Sequence, residues 1–364
     1  DEAAIAAARA RADRARTILP ENPTVDVLIA ARRNPTSRDY VLNAYGTVRQ
    51  PLEIAGQRRA RKRVAAADVE ATQADAKTSR RRIAANAVAA YYDALAATRR
   101  LAVIDGVVAI AASLEELARE RESAGVASGL QYDLAHAAHV EASARRISAQ
   151  ADRDAARAEL ASMLGRASVE VTGELAPIDG EQAHGKRPEL AASRARIDEQ
   201  DRTRKVLKRE RVPNPSLVFT VQRDGFSELV LGGGISLGIP LPSPLGRTPK
   251  AAIAETTANA RRARAELDAQ GRAITREQTL ARAQWQARKD ALALYDDATI
   301  TRAEESLKSL REAITAGTVD LRDAMLAQRT LLELLEGRVA AEHELAIASI
   351  DLAHANGRDL EALR

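Results

Sequence analysis

The stretch Leu-Val-Leu-Gly-Gly-Gly-Ile-Ser-Leu-Gly-Ile-Pro-Leu, residues 229–241, decides the fold of this chain. Its odd-numbered positions are leucine or isoleucine apart from Gly233, whereas its even-numbered positions are mostly small. A two-residue period with one aliphatic face and one small face is that of a β-strand. Residues 216–222 alternate in the same way, and residues 223–227 between the two stretches predict a tight hairpin turn.

A fainter copy of this hairpin stands near the start of the chain. Val25, Val27 and Ile29 alternate with other residues before a turn predicted at 34–37. The alternation resumes at Tyr40 and continues toward Gln50. The chain is therefore predicted to contain four strands, arranged as two hairpins.

Four strands are too few for an independent β-sandwich, because an isolated hairpin is only marginally stable. One interpretation is a pair of hairpins that cap a helical bundle. The other is a closed barrel that pools the hairpins of several chains and turns their aliphatic faces to lipid, since closure leaves no unpaired strand edge. The aromatic girdle expected at the interfaces of such a barrel is sparse, with Tyr40, Tyr45 and Phe226 as candidates.

Most of the remaining chain is predicted to be helical. No proline occurs between residues 54 and 123 or between residues 250 and 316. Apolar residues recur at alternating steps of three and four, a spacing typical of coiled-coil packing. The series in the second half is Leu321, Met325, Gln328, Leu332, Leu335 and Val339.

The two halves of the chain repeat each other. Asn22-Pro23 returns 192 positions later as Asn214-Pro215, and Gly125 returns at the same offset as Gly317. This period is too long for a solenoid unit. We predict two structural repeats, residues 1–176 and 177–364, with strands at about 23–50 and 215–241, long helices at about 54–123 and 247–315, tips at 124–130 and 316–321, and returning helices at 131–164 and 322–356.

Composition narrows the class of protein. Aromatic residues make up 2% of the 364 residues and charged residues 29%, a profile of packed helices rather than of several globular cores. The absence of cysteine excludes a disulfide framework, a thiolate metal site and a cysteine nucleophile. We find no nucleophile–base pair, glycine-rich phosphate loop or metal triad in the sequence. We therefore predict neither enzymatic activity nor a cofactor.

Two polar clusters leave alternatives open. His136 and His139 have a helical i, i+3 spacing that could share a metal, but two ligands do not make a site and we favour a solvated helix face. A basic cluster at the start of the first long helix could contact nucleic acid, lipid phosphates or only solvent. Without aromatic residues for base stacking we favour lipid phosphates over nucleic acid. This basic cluster consists of Arg58, Arg59, Arg61, Lys62 and Arg63.

Taken together, these segments resemble the TolC-type outer-membrane efflux channel family, and the resemblance covers nearly the whole chain. Residues 213–217 (PNPSL) resemble the start of a family strand, and residues 50–58 (QPLEIAGQR) and 238–247 resemble the two exits from the barrel. Residues 316–321 (AGTVDL) and 327–333 (AQRTLLE) resemble the periplasmic tip and its returning helix. Residues 187–190 (RPEL) are similar to the heavy-metal-cation branch.

The resemblance implies a mainly α fold with a small β part, assembled as a homotrimer. Its two internal repeats of coiled-coil helical hairpins and β-hairpins would form a twelve-strand barrel and a helical periplasmic tunnel. It further implies a passive exit duct in the outer membrane of a Gram-negative bacterium, open to solutes that include metal cations. The expected partners are a periplasmic adaptor (membrane fusion protein), an inner-membrane efflux pump and outer-membrane lipid, without nucleic acid.

The resemblance also implies two kinds of site. Asp320 and Asp323 fall where the tunnel should narrow, although Asp320 could simply cap the returning helix. Ile314, Val319 and Leu326 stand where better-known members carry other gating residues. The expected adaptor-docking tips contain Gly125, Ser128, Leu130, Gly317, Thr318 and Leu321.

Two rival classes remain at the level of sequence, a soluble coiled-coil scaffold and a periplasmic adaptor. An adaptor would carry one helical hairpin inserted in a small β-domain, whereas this chain has two helical hairpins and no such domain. A scaffold would need neither the glycine-rich strand nor its repeat.

Overall fold

The computed structural model describes residues 1–33, 40–180, 187–223, 228–239, 249–316 and 318–360, and it confirms a mainly helical chain with a small antiparallel sheet. Within these ranges no helix is both long and apolar enough to cross a membrane. The helices are α1 Glu2–Arg14, α2 Gln57–Ser123, α3 Gly129–Met163, α4 Pro188–Arg209, α5 Lys250–Ala293, α6 Asp297–Thr315 and α7 Leu321–Ala355. The strands are β1 Thr24–Arg33, β2 Tyr40–Pro51, β3 Pro215–Arg223 and β4 Leu229–Leu237.

The four strands form one antiparallel sheet in the order β1-β2-β3-β4. The hairpin from each half of the chain therefore lies beside the other, joined where β2 pairs with β3. The strand expected over 229–241 ends at Leu237, and residues 240–248 lie outside the described part of the chain. The turns predicted at 34–37 and 223–227 also fall outside it, except for Arg223 at the end of β3.

The chain divides into two compact units, and each combines parts of both predicted repeats. Unit 1 consists of residues 1–79 and 187–272 and contains the whole sheet. Its helices pack through small side chains, since Ala8, Ala67, Ala192 and Ala260 are all buried. Surface ion pairs also join these helices: Arg11–Asp68, Arg196–Asp75 and Arg264–Asp201.

Unit 2 consists of residues 80–186 and 273–364, and its larger core contains a segment that the sequence did not predict. After α3 the chain runs without regular structure to residue 180 and packs against α2 and α7. The hydroxyl of Tyr92 donates to the carbonyl of Ala176 at 2.7 Å, and the amide of Ile178 donates to Ser349 Oγ at 3.0 Å. We call residues 164–180 the strap, because side chains of α2 and α7 satisfy its backbone.

The second long helix, expected to run unbroken over 247–315, is divided, so that part of the prediction was wrong. α5 ends at Ala293, and α6 begins after Asp296, whose carboxylate accepts from the amide of Thr299 at 2.6 Å. Arg338 of α7 donates to the carbonyl of Tyr295 and to the carboxylate of Asp297. The break persists because a capping side chain and a distant arginine satisfy the backbone groups that it frees.

The strap approaches α7 so closely at Gly180 that a larger residue would not fit. A Cβ at this position would lie 2.9 Å from the amide nitrogen of Ala353 and from the carbonyl oxygen of Ser349. A Cβ on Gly106, within α2, would meet nothing within 4 Å. The effect of an alanine at Gly180 therefore depends on the lack of space, whereas at Gly106 it depends only on helix propensity.

We expect Gly180→Ala to lower the free energy of unfolding by about 1–3 kcal/mol, the usual cost of an overpacked contact. Gly106→Ala should raise it by about 0.5–1 kcal/mol, because alanine is the better helix former. Thermal unfolding followed by circular dichroism measures both changes. A Gly180→Ala protein as stable as Gly106→Ala would show that the strap does not pack closely on α7.

Candidate functional sites

The register of the sheet places most of its large apolar residues on one side, together with Arg33 and Arg223 at strand ends. Val48 of β2 lies opposite Val25 of β1 and opposite Phe219 of β3, and Leu217 of β3 lies opposite Ile235 of β4. Because side chains alternate along a strand, every second residue from these positions shares their side. We call this side the apolar face; its large members are Val25, Val27, Ile29, Tyr40, Leu42, Val48, Leu217, Phe219, Val221, Leu229, Leu231, Ile235 and Leu237.

The apolar face is exposed in the single chain. Val27, Leu231 and Ile235 have 72%, 70% and 75% of their surface accessible, values normally found for charged residues. The opposite face is more polar, with Asp26, Asn43, Thr47, Arg49, Ser216, Thr220 and Gln222, although Leu28, Val41, Val218 and Val230 also lie on it. A contiguous exposed apolar surface of this kind marks a site for lipid or for another protein chain.

Strand length and strand pairing agree with a membrane environment. The strands contain between 9 and 12 residues, and about 9–11 residues are needed for a tilted strand to cross a bilayer. In the described sheet β1 and β4 are edge strands, each paired on one side only. Because lipid cannot satisfy unpaired backbone groups, these two edges would need further strands in a membrane.

The aromatic candidates are divided between the two faces. Tyr40 lies on the apolar face and is 71% exposed. Tyr45 lies on the opposite face, where its hydroxyl accepts from the amide of Asn43 at 3.2 Å. Phe226 lies outside the described residues. Of the three candidates, Tyr40 is therefore the one that the structure places where an aromatic girdle would lie.

The first tip joins α2 to α3. Gly125 adopts a φ of +71°, a conformation that favours glycine, and the amide of Val126 donates to the carbonyl of Arg121 at 2.8 Å. Ser128 precedes α3, and its amide donates to Gln131 Oε1 at 3.0 Å. Leu130 follows with most of its side chain exposed. This tip thus combines a rigid turn with accessible apolar residues.

The second tip joins α6 to α7. Gly317 lies outside the described residues, and so does the side chain of Leu321. The amide of Thr318 donates to the carbonyl of Ala313 at 3.0 Å. Asp320 accepts from the amides of Arg322 and Asp323, so the expected alternative role of Asp320 as a helix cap is confirmed.

The two tips share a core within unit 2. Leu114 of α2 and Ile314 of α6 are buried together with Ala324 of α7, and Val319 packs against them. Arg121, at the end of α2, donates to the carbonyl of Val319 at 3.2 Å. Ile314, one of the positions compared with family gating residues, therefore serves in a core between helices.

Asp323 lies at the start of α7 on the wall of a cleft of about 400 Å³ between α3 and α7. Arg145 and Arg329 line the same cleft, but their guanidinium groups pair with Glu141 at 2.7 Å and Glu333 at 3.1 Å. Within the described part of the chain, Asp323 forms no ion pair. Its carboxylate is accessible, and its charge is not neutralised by direct contact.

The two histidines of α3 bind one carboxylate of α2. His136 Nδ1 lies 2.9 Å from Glu115 Oε1, and His139 Nδ1 lies 2.5 Å from Glu115 Oε2. Hydrogen bonding by His139 and then by His136 lowers the pKa of Glu115 from its ordinary value of 4.5. No three histidine, cysteine or acidic residues in the described ranges are arranged to hold a metal ion. The histidine pair thus ties the two helices together.

The basic cluster is only partly neutralised. Arg61 pairs with Glu53, and Arg58 donates two hydrogen bonds to the carbonyl of Arg16. Arg59, Lys62 and Arg63 form no ion pair within the described residues. A second group of cations, not predicted from the sequence, lies on the last turns of α4 and consists of Arg202, Lys205 and Arg209. The charge run over residues 202–211 could have indicated it.

Comparisons with known proteins agree with this geometry. Residues 1–166 match the model of the outer membrane efflux protein family. The cobalt-zinc-cadmium resistance protein CzcC of Cupriavidus metallidurans is 24% identical over 322 residues, which are 86% of this chain and 75% of that protein. The outer membrane protein VceC of Vibrio cholerae aligns with a TM-score of 0.78 at 16% identity, covering 99% of this chain and 92% of VceC. CusC aligns with a TM-score of 0.77 at 13% identity, covering 97% and 87%.

The structural matches show that the chain has the fold of outer-membrane efflux channels. The match to the outer membrane efflux protein family covers residues 1–166, somewhat less than half of the chain. The predicted fold is thereby confirmed, and the match over residues 1–166 agrees with the predicted channel function and outer-membrane location. This fold does not favour a soluble scaffold or a periplasmic adaptor.

The Glu115 bridge gives a pH dependence whose sign follows from its lowered pKa. Ionised Glu115 stabilises the fold at pH values above about 4.5, and this contribution is lost as the pH falls through the lower pKa of the folded state. We expect Glu115→Gln to lower the melting temperature at pH 7 and to lower it less at pH 3. Circular dichroism melts at both pH values measure the difference.

Glu116→Gln provides the control, because Glu116 pairs with Arg119 on the exposed surface at 3.5 Å. Exposed pairs of this kind contribute little, so its melting temperature should stay near that of the wild type at both pH values. An equal loss for Glu115→Gln at pH 7 and pH 3 would contradict a charge-dependent bridge.

Proposed function

We propose that the chain is the outer-membrane exit duct of a tripartite system that exports metal cations. The observation that carries the proposal is the sheet, with its exposed apolar face and its two open edges. The match of residues 1–166 to the outer membrane efflux protein family supports the efflux function. The name of the relative CzcC, a cobalt-zinc-cadmium resistance protein, supports metal cations as the exported solutes.

A homotrimer would satisfy the open edges. Three copies of the four-stranded sheet supply twelve strands, and bacterial outer-membrane barrels contain even numbers of strands from about eight upward. Since the four strands alternate in direction, β4 of one copy runs opposite to β1 of the next and can pair with it antiparallel. The apolar face would then contact lipid, and the polar face would line the channel.

The helical hairpins would form the periplasmic tunnel, with the two predicted repeats contributing equivalent elements. The tips would receive a periplasmic adaptor that connects the duct to an inner-membrane pump. The exposed Leu130 and the rigid turn at Gly125 support docking at the first tip. Ser128, Gly317, Thr318 and Leu321 complete the proposed docking residues.

Asp323 is the proposed pore constriction. A threefold axis would turn its accessible carboxylate into a ring of three negative charges, which attracts cations. Asp320 would add a second ring while capping α7. Such rings suit a duct that passes positive solutes.

Substitutions on neighbouring residues of β3 test which face contacts lipid. Phe219 belongs to the apolar face, and Thr220 points to the other side. We expect Phe219→Arg to lower the amount of assembled channel in the outer membrane, because arginine at the bilayer midplane costs about 2–4 kcal/mol. Thr220→Arg should assemble nearly as well as the wild type.

Membrane fractionation measures insertion, and native mass spectrometry in detergent measures copy number. We expect a trimer for the wild type and for Thr220→Arg. Equal yields for Phe219→Arg and Thr220→Arg, or a wild-type monomer as the only species, would overturn the lipid-facing barrel.

Single-channel recording in planar bilayers tests the constriction. We expect Asp323→Asn to lower cation selectivity and to weaken block by multivalent cations, because it removes three charges from the trimer. Asp320→Asn is the variant to compare with Asp323→Asn. Asparagine caps a helix as well as aspartate, so this substitution changes only the charge at position 320. If Asp323→Asn conducts like the wild type, Asp323 is a solvated helix residue and does not form the gate.

A further inference from the structure

A cleft of about 290 Å³ opens in unit 1 between the first turns of α2 and the last turns of α4. Four cationic side chains and one carboxylate line it, so its charge is strongly positive. None of its lining residues is aromatic or has a large apolar side chain. The lining residues are Ala60, Arg63, Asp198, Arg202, Lys205 and Arg209.

Internal contacts hold two of the cations in place. Arg202 pairs with Asp198 at 2.5 Å and donates to the carbonyl of Arg63 at 2.7 Å. Arg209 donates to the carbonyl of Gly56 at 2.7 Å. The single carboxylate of the cleft, that of Asp198, therefore pairs with Arg202. Contacts with α4 and with the start of α2 hold Arg202 and Arg209 in position.

The other two cations have no such partner. Arg63 and Lys205 are exposed, and within the described residues neither side chain forms a hydrogen bond or an ion pair. Four positive groups around one small cleft repel one another unless an anion binds between them. Arginine and lysine together are suited to phosphate, which accepts a forked guanidinium and a point charge.

The cleft lies beside the end of the sheet. The amide of Leu52, next to β2, donates to the carbonyl of Pro215 in β3 at 2.8 Å, and Gln57 Nε2 donates to Asn214 Oδ1 at 2.9 Å. The start of α2 is therefore anchored where β2 ends and β3 begins. Arg209, at the end of α4, binds the same junction.

Distances along the helices match the thickness of a headgroup layer. Arg63 stands six residues after the start of α2 and Lys205 four residues before the end of α4, which correspond to about 9 Å and about 6 Å along the helix axes. The polar layer on each side of the hydrocarbon core is about 5–8 Å thick. Cations at this distance from the sheet reach the level of lipid phosphates.

We propose that this cleft binds the phosphate of an anionic phospholipid headgroup in the leaflet next to the helices. The proposal rests on the placement of the sheet in the outer membrane, and it adds a defined lipid site to the more general basic cluster of α2. The position of the cleft at the end of the sheet favours a lipid over free phosphate, because in the proposed barrel the strands end at the headgroup layer.

The test compares two double variants of the full chain by native mass spectrometry in detergent supplemented with phosphatidylglycerol. Arg63→Gln with Lys205→Gln removes the two unpaired cations of the cleft. Arg261→Gln with Arg272→Gln is the matched control, since both residues are exposed on α5 of the same unit. We expect the wild type and the control to retain one lipid per chain, and the cleft variant to retain at least tenfold less.

Two further arms identify the ligand. Phosphatidylcholine, which carries the same phosphodiester without net charge, should be retained less than phosphatidylglycerol. Inorganic phosphate at millimolar concentration should not displace the lipid. Displacement by phosphate would overturn the lipid assignment, and equal lipid retention by cleft and control variants would overturn the site itself.

Assembly and transport separate this proposal from the proposed function. Lys205→Gln alone, a change at an exposed side chain, provides a second variant if the double variant fails to assemble, and it should still reduce lipid retention severalfold. If the cleft variants form normal trimers, support normal efflux and retain as much lipid as the wild type, only the lipid site is rejected. A chain that never inserts in a membrane would reject the proposed function.

Discussion

Backbone pairing at the edges of the sheet is the constraint on which the rest of the structure depends. A single chain supplies four strands, and its outermost strands leave rows of amides and carbonyls without partners in the described sheet. In water such edges would be exposed to solvent, but here they adjoin an apolar surface that itself avoids water. In the proposed barrel, lipid covers the apolar surface and strands of neighbouring copies pair with the open edges. The isolated chain would then be one part of a larger closed assembly.

The helices meet a different requirement, close packing over long lengths with few large side chains. Alanine supplies most of the buried positions, so backbones approach closely and arginine–carboxylate contacts surround the contact lines. Unit 2 adds larger buried side chains, and at the tips these are Leu114 and Ile314. Larger buried side chains fix the relative position of the two tips better than alanine does. That rigidity suits a surface that must present fixed geometry to a partner.

The sequence predicted those elements whose signal is local and periodic. The alternation from Leu229, the proline-free run of α2 and the glycine turn at Gly125 each carry their own evidence. The break at 294–296 could not be read in the same way, because Arg338, forty-three residues away, satisfies the carbonyl of Tyr295. The strap depends likewise on the distant Ser349. The aspartates of the second tip were found through resemblance to a family. The cations of α4 could not be recognised from the sequence, because they form a cleft only together with Arg63 of α2.

The number of strands in each chain has a consequence for assembly. Each copy contributes an even number of strands that alternate in direction, so the first and last strands are always antiparallel. A ring of such copies can therefore close with antiparallel hydrogen bonding whether it contains two, three, four or more chains. The even number of strands in each copy does not determine how many copies assemble. Copy number must then be selected by curvature and by the angles at which long helices pack. Residues that set those angles, rather than residues of the sheet, govern how wide the duct is.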